Sequence, residues 1–175
     1  ASVEIDRKWG YIDKSGNFVI KPRFPKRSGA FSGGLAPAYE NNMWGYINKT
    51  GKFVINPQFN AEPQAFSDGL AAAQKGSMWG YINLSGNFII SPRFNTMPER
   101  FSEGMAAAQK YGKWGYINNK GTFVIQPKFI EKPGYFYNGK APVKQNNLWG
   151  YINTKGQFDV LPTYLSFAGT YSADK

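Results

Sequence analysis

The sequence predicts an all-β protein built from five copies of one 35-residue unit. Every tryptophan of the 175-residue chain is followed by Gly-Tyr-Ile, and a fixed spacing of this kind is the signature of a repeat architecture. No segment has the apolar spacing of about 3.6 residues that marks an amphipathic helix. We therefore expect a single repeat domain over residues 1–175. The tryptophans, spaced 35 residues apart, are Trp9, Trp44, Trp79, Trp114 and Trp149.

Each copy is expected to form three strands joined as an antiparallel meander. The Trp-Gly-Tyr-Ile run and the Phe-Val-Ile run after it are rich in aromatic and β-branched residues, as strands are. Between them, an Asx and a Gly bracket two free residues, as Asn48 and Gly51 do, which is typical of a type I turn followed by a positive φ. The remaining strand is the Ala-rich run at 69–73, with equivalents at 34–38 and 104–108, followed by a polar loop such as 74–77.

The Ala-rich strand is expected to lie at a sheet edge. It contains Pro37 in one copy and Pro142 in another, and proline is tolerated where no neighbouring strand needs its N–H. A small edge strand facing a crowded centre is typical of the innermost strand of a propeller blade. The Pro-x-Phe segment, such as Pro57 to Phe59, is expected to lead across to the next copy.

We therefore predict a small five-bladed, β-propeller-like ring, with an open β-superhelix or solenoid as the alternative. The two chain ends fall at the same phase of the repeat, which favours the ring. An open stack needs polar capping copies, and the hint of one is Asp159, where the other copies have Val or Ile.

The shared unit, Trp-Gly-Tyr-Ile-Asx-x-x-Gly-x-Phe-(Val/Ile)-Ile-x-Pro-x-Phe, resembles the bacterial WG repeat family, also written KWG after a lysine such as Lys8 or Lys113. The resemblance covers the whole chain. It implies a β-rich, propeller-like or superhelical module of the kind found as an adaptor or envelope-associated part of bacterial proteins. It supplies no catalytic residue, and it favours a secreted or cell-envelope location.

The composition argues against catalysis. The chain has no His and no Cys, so catalytic triads, thiol nucleophiles and soft-metal sites lose their usual members. We expect no enzyme activity, no cofactor and no metal. A hydrolase built on two carboxylates in a central cleft remains a distant alternative. Among the acids only Asp68 and Glu103 recur in phase, in a turn where a solvated role is expected. The sequence contains no apolar run long enough for a membrane span.

Positive charge is the clearest candidate for a binding signal. The formal net charge is +10, and seven Lys and Arg fall between residues 7 and 27, where Asp13 is the one acid. The residue between Pro and Phe is a cation in three copies. A patch facing an anionic partner and a generally basic solvated surface explain this pattern equally well. The predicted ligand-binding residues are Arg23, Lys26, Arg27, Arg93 and Lys128.

The polar loops before each Trp differ from copy to copy, which favours one composite surface over five equal sites. We therefore expect a non-enzymatic interaction module that presents variable loops to a protein partner. A glycan- or polyanion-binding module of the bacterial envelope, with acidic polysaccharide as ligand, is the alternative. Nucleic acid is not expected, because no groove-reading helix or single-strand motif occurs. The five Trp are expected to pack between copies instead of stacking on sugars.

Overall fold

The structure is a computed structural model, and it describes residues 1–165. Residues 166–175 of the predicted repeat domain lie outside the described residues. The chain divides into two compact units, Ala1–Arg93 and Phe94–Lys175. Within residues 1–165 every regular element is a strand, which confirms the all-β prediction. Along that same stretch, no helix could carry the chain through a bilayer.

Over residues 1–165, fifteen strands form five separate three-stranded antiparallel sheets, each in chain order. This confirms the predicted meander in every copy, while the five-bladed ring and its open alternative stay predictions. The sheets are β1 (Ser2–Ile5), β2 (Lys8–Ile12) and β3 (Phe18–Phe24); β4 (Ala36–Glu40), β5 (Met43–Ile47) and β6 (Phe53–Phe59); β7 (Ala71–Lys75), β8 (Met78–Ile82) and β9 (Phe88–Phe94); β10 (Met105–Lys110), β11 (Lys113–Asn118) and β12 (Phe123–Phe129); and β13 (Lys140–Gln145), β14 (Leu148–Asn153) and β15 (Phe158–Tyr164).

The Ala-rich strands predicted at 34–38, 69–73 and 104–108 begin one or two residues later, at Ala36, Ala71 and Met105. In the third sheet β7 runs to Lys75, which pairs with Met78, so the predicted polar loop at 74–77 shrinks to two residues. The reason is turn chemistry: left-handed residues such as Asn41 and Asn42 reverse the chain without further length. We call these two-residue turns the hairpin tips. They are residues 6–7, 41–42, 76–77, 111–112 and 146–147.

The residues just before the first strand form a second tight turn, as expected at Asp68 and Glu103, and this turn extends over the first residues of the predicted strand. Ser67 N donates to Leu70 O at 2.9 Å, and Leu70 N donates back to Ser67 O at 3.0 Å. Asp68 and Gly69 between them have φ values of 50° and 76°. We call this the entry turn of a sheet, and it recurs at 32–35, 102–105 and 137–140.

The third strand continues through its proline, so the prediction that Pro-x-Phe leads out of the sheet was wrong. Trp44 pairs with Phe59 and Tyr46 with Ile55, and this register leaves a bulge opposite Gly45. A Cβ on Gly45 would lie 2.8 Å from the nitrogen of Pro57. The bulge removes the need for an N–H at the proline, and only glycine permits the close approach.

The Ala-rich strand is an edge strand of its sheet, as predicted, and the connector from the previous sheet covers its outer side. Gly29 N donates to Pro37 O at 3.1 Å, and a Cβ on Gly29 would lie 2.6 Å from Pro37 Cγ. Where the strand contains a proline, the proline ring leaves no room for a side chain at the facing position of the connector, and that position is a glycine. The equivalent bonds join Gly134 to Pro142, Gln64 to Ala72, and Glu99 to Ala107.

Successive sheets within a unit share one core. In the first unit Trp44 and Phe59 of the second sheet cluster with Ala71 and Ala73 of the third. The aromatic rings of one sheet fill the space left open by the small side chains in the first strand of the following sheet. This packing explains why the strand is rich in alanine, and it makes each sheet depend on its neighbour for burial.

Candidate functional site

The tyrosine of Trp-Gly-Tyr-Ile holds the connector that follows it. The hydroxyls of Tyr11, Tyr46 and Tyr116 donate to the carbonyls of residues 29, 64 and 134, at 2.6, 2.5 and 2.8 Å. Burial raises the pKa of Tyr11 to about 12, with the charge of Glu62 adding to the rise. Burial raises the pKa values of Tyr46 and Tyr116 as well. These hydroxyls are therefore neutral donors that hold each sheet to the connector that follows it.

The entry turns of successive sheets are also bonded to each other. Ser102 Oγ donates to the carbonyl of Phe136 at 2.7 Å. The Glu103 carboxylate accepts from Asn138 N at 2.7 Å and from Gly139 N at 2.9 Å. Glu103 is exposed, as expected, but it also caps the entry turn of the next sheet.

Two of the predicted ligand-binding cations contact the Asx turn of the following sheet. Arg23 Nη2 donates to Gly51 O at 2.6 Å, and Lys128 Nζ donates to Gly156 O at 3.0 Å. This bond explains why a cation recurs between Pro and Phe. Arg93 occupies the equivalent, exposed position on β9. Binding of an anionic ligand by these three residues stays a prediction.

The other two predicted cations lie in the first connector. Lys26 Nζ is 3.7 Å from the centre of the Tyr39 ring, and Arg27 Cζ is 5.9 Å from that of Trp9. Partial burial raises the pKa of Glu62, in the next connector, while Arg27 and Lys26 oppose the rise. The structure thus brings Lys26 and Arg27 together with an acid that the sequence analysis missed.

The second unit has a comparable cluster that the sequence analysis did not identify. Glu99 is buried, with 8% of the residue exposed, and its carboxylate lies 3.1 Å from Lys132 Nζ and accepts a 2.8 Å hydrogen bond from the Tyr135 hydroxyl. Burial raises the pKa of Tyr135, and its bond to Glu99 adds to the rise. The guanidinium of Arg100 lies 4.4 Å from the centre of the Tyr135 ring.

We call these two groups the connector clusters: Lys26, Arg27 and Glu62 in the first unit, and Glu99, Arg100, Lys132 and Tyr135 in the second. Each places an acid of one connector beside cations of another, so each presents both signs of charge. Their members are up to 36 residues apart in the chain, and no local motif marks them.

Two open cavities lie at equivalent junctions between successive sheets, one in each unit. The first, of about 470 Å³, is lined by residues that include Arg23 and Glu40. The second, of about 560 Å³, is lined by residues that include Lys128 and Glu131. Glu131 lies 2.9 Å from Lys144 Nζ. Because acids accompany the cations, each cavity presents both positive and negative charge.

The repeat phase of this architecture matches a known family. The WG containing repeat family matches residues 9–44, 44–79, 79–114, 114–149 and 149–173. The chain belongs to the WG containing repeat family. This confirms the resemblance drawn from the Trp-Gly-Tyr-Ile unit. A comparison with curated proteins gives no match.

The tryptophans of the five WG repeats lie within the packing of the sheets. Trp44 and Trp79 are 6% and 8% exposed, and the other three are half-buried. Among residues 1–165, no group of three or more His, Cys, Asp or Glu side chains is placed to hold a metal ion.

The hairpin tips of the WG repeats differ between copies. They read Asp-Arg, Asn-Asn, Gly-Ser, Tyr-Gly and Asn-Asn, and all ten residues are exposed. Tyr111, at the fourth tip, is 91% exposed at a φ of 52°. The tips and the connector clusters are thus the surfaces where one copy differs from another.

Proposed function

We propose that this WG repeat chain is a non-enzymatic interaction module that presents its hairpin tips and connector clusters to a protein partner. The observation that carries the proposal is a division between two sets of polar residues. Those that recur in several copies are engaged in the scaffold: Tyr46 holds the connector that follows its own sheet, and Arg23 and Ser32 bond to the next copy. The exposed residues that are left to bind a partner are those that differ. Divergent loops on a repeated scaffold suit one extended surface.

The charge distribution supports a protein as the partner. The connector clusters present carboxylates and cations side by side, as Glu99 and Lys132 do at 3.1 Å. A partner with charges of both signs complements both the cations and the acids of such a surface, whereas a uniform polyanion complements only the cations. The aromatic side chains at the clusters and tips, Tyr135 and Tyr111, belong to the residue types enriched at protein interfaces.

The proposal is tested by comparing what the immobilised chain retains from an extract of the cells that produce it. One variant carries Arg100→Ala and Lys132→Ala in a connector cluster. The control carries Lys49→Ala and Lys52→Ala, which remove two cations beside an Asx turn. We expect a protein that the wild type and the control retain and the cluster variant releases, with the loss reproduced by calorimetry on the purified partner. Retention of the same proteins by all three chains would contradict the proposal.

A polyanion is the second candidate, and the observation that favours it is the net charge of +10 with its concentration between residues 7 and 27. Binding to an immobilised acidic polysaccharide should then weaken steeply with salt, because each neutralised charge releases a condensed counterion. Lys26→Glu with Arg27→Glu should weaken retention far more than Lys49→Glu with Lys52→Glu. Arg23 is left intact because it also holds Gly51. Equal losses would mean that only net charge matters, and salt-independent binding to a neutral glycan would favour a lectin.

The location that accompanies this proposal is outside the cytoplasm of a bacterium, secreted or at the cell envelope. The two-carboxylate hydrolase remains a distant alternative. An assay for release of reducing sugar from envelope polysaccharides tests it, and turnover that Glu99→Gln abolishes would replace the binding proposal.

A further inference from the structure

One hairpin tip begins with a residue type that its turn conformation disfavours, whereas the other four begin with residue types that tolerate it. The first residue of every tip is left-handed, with φ values between 50° and 61°. Asp, Asn and Gly tolerate that conformation, whereas a bulky aromatic residue there is strained. Tyr111 is that residue, and at 91% exposure its ring gains nothing from burial in its own chain. The first tip residues in chain order are Asp6, Asn41, Gly76, Tyr111 and Asn146.

A second feature of the same tip reduces its stability. Lys110 and Lys113 pair directly across the last rung of the hairpin, and like charges in that position are destabilising. At the other tips the equivalent pair holds no more than one charge: Ile5 with Lys8, Glu40 with Met43, Lys75 with Met78, and Gln145 with Leu148. Lys110 Nζ lies 5.0 Å from the centre of the Tyr111 ring, so one of the two charges lies beside the exposed aromatic side chain.

We propose that the tip formed by residues 110–113 is the contact hot spot for an acidic face of a protein partner. In the complex the Tyr111 ring enters an apolar notch, and Lys110 and Lys113 pair with carboxylates at its rim. The inference rests on the proposed function and names the partner's chemistry. Tyrosine is a preferred hot-spot residue, and pairing with acids removes the repulsion between the two lysines.

A protein face fits this tip better than single-stranded nucleic acid. Proteins that bind single strands stack successive bases on several aromatic side chains along a basic groove. Here one tip has an aromatic residue, and the others have Asp-Arg, Asn-Asn, Gly-Ser and Asn-Asn. A single aromatic anchor between two cations is instead the composition of a local hot spot.

The test uses Tyr111→Asn, which installs the residue found at the tips of the second and fifth sheets. The probe is a random copolymer of glutamate and tyrosine, with poly-glutamate and oligothymidine of similar length beside it. We expect the wild-type chain to bind the copolymer more tightly than poly-glutamate. Tyr111→Asn should lower the affinity for the copolymer about tenfold or more, while its melting temperature is unchanged or higher. Asn146→Gly, at another tip, should leave the affinity unchanged.

The lysines are tested separately from the ring. Lys110→Gln with Lys113→Gln should reduce the salt dependence of copolymer binding, whereas Tyr111→Asn should leave the salt dependence unchanged. Equal affinity of wild type and Tyr111→Asn for the copolymer would overturn the inference, as would equal binding of copolymer and poly-glutamate by the wild type. Tighter binding of oligothymidine that Tyr111→Asn abolishes would assign the tip to nucleic acid. A cell protein that both wild type and Tyr111→Asn retain equally would overturn the hot spot and leave the interaction module standing.

Discussion

The Trp strand of each copy ends in two turns of similar size that differ in how far their sequences are free to vary. At one end is the Asx turn, which keeps its Asx and its Gly in all five copies, although the two residues between them differ in every copy. At the other end is the hairpin tip, which has four different sequences in five copies. Both use left-handed residues and both reach the surface. The contrast therefore comes from their surroundings.

The Asx turn packs on the preceding sheet, and the tip does not. A Cβ on Gly51, Gly86 or Gly156 would lie 3.0, 2.7 or 3.0 Å from the isoleucine one copy back. A Cβ on Gly76 or Gly112, at the tips, would meet nothing within 4 Å. Residues that touch the next copy are held constant by packing. The positions that stay the same in every copy are thus held by packing, and under the proposed function the positions that differ form the binding surface.

Trp79→Ala should have the largest effect on the scaffold side of this comparison. The side chain is 8% exposed, and truncating a large buried aromatic residue destabilises a domain by about 3–5 kcal/mol. Urea unfolding measures the loss. A variant as stable as the wild type would show that Trp79 is dispensable for packing and available for ligand stacking.

Gly86→Ala compared with Gly76→Ala tests the two turns directly. At Gly86 the new methyl group meets Ile55 at 2.7 Å, and at Gly76 it meets only solvent, while both positions have a positive φ. We expect a loss of about 3 kcal/mol at Gly86 from overpacking added to backbone strain, and about 1 kcal/mol at Gly76 from strain alone. Thermal unfolding of the two variants side by side is the measurement. Equal losses would remove the packing explanation for the constant Asx turn.

The sequence was sufficient for the parts of the fold that repeat locally. The Trp period, the Asx turn and the small edge strand each follow from residues close together in the chain. The bulge at Pro57 was not predictable in this way, because it depends on Gly45 in another strand. The predicted bounds of the Ala-rich strand were also wrong. The polarity of Asn41 and Asn42 indicated a longer loop, but their left-handed conformations allow a turn of two residues.

The candidate site was less predictable than the fold. The sequence identified Lys26 and Arg27 from charge alone, but Glu62 and Glu99 become notable only beside cations one connector away. Tyr111 was visible in the sequence as part of a variable loop. Its left-handed conformation, which sets it apart, emerged only when the loop proved to be a two-residue turn.

Alkaline pH should separate the shared tyrosines from the variable ones. Tyr11 has its pKa raised to about 12 by burial, so its neutral form is favoured in the folded state. The contribution of Tyr11 to the free energy of unfolding is fully present below pH about 10, which is the pKa of tyrosine in the unfolded chain. It falls as the pH rises toward 12, because the unfolded chain then binds fewer protons than the folded one. Unfolding followed from pH 8 to 12 should show this decline. Tyr111→Phe should leave the decline unchanged, and a pH-independent stability above pH 10 would contradict the buried donors.

Glu103→Gln should have a small effect that identifies the entry-turn cap. Loss of the charge weakens the two bonds from Asn138 N and Gly139 N, at a cost of about 1 kcal/mol. Glu131→Gln is the control, because its ion pair with Lys144 is on the surface and should contribute less than half as much. Hydrogen exchange of the Asn138 and Gly139 amides reports the cap locally. Unchanged exchange in Glu103→Gln would argue against it.

The most direct test of the central claim is to make all five hairpin tips alike and measure stability and binding on the same chain. Residues 6–7, 76–77 and 111–112 are replaced by Asn-Asn, the pair already present at 41–42 and 146–147. We expect the free energy of unfolding to change by less than about 1 kcal/mol, as exposed substitutions do, and binding of the glutamate–tyrosine copolymer to fall to the level of poly-glutamate. A loss of stability comparable to that of Gly86→Ala, or full retention of copolymer binding, would contradict the claim that difference between copies marks the binding surface.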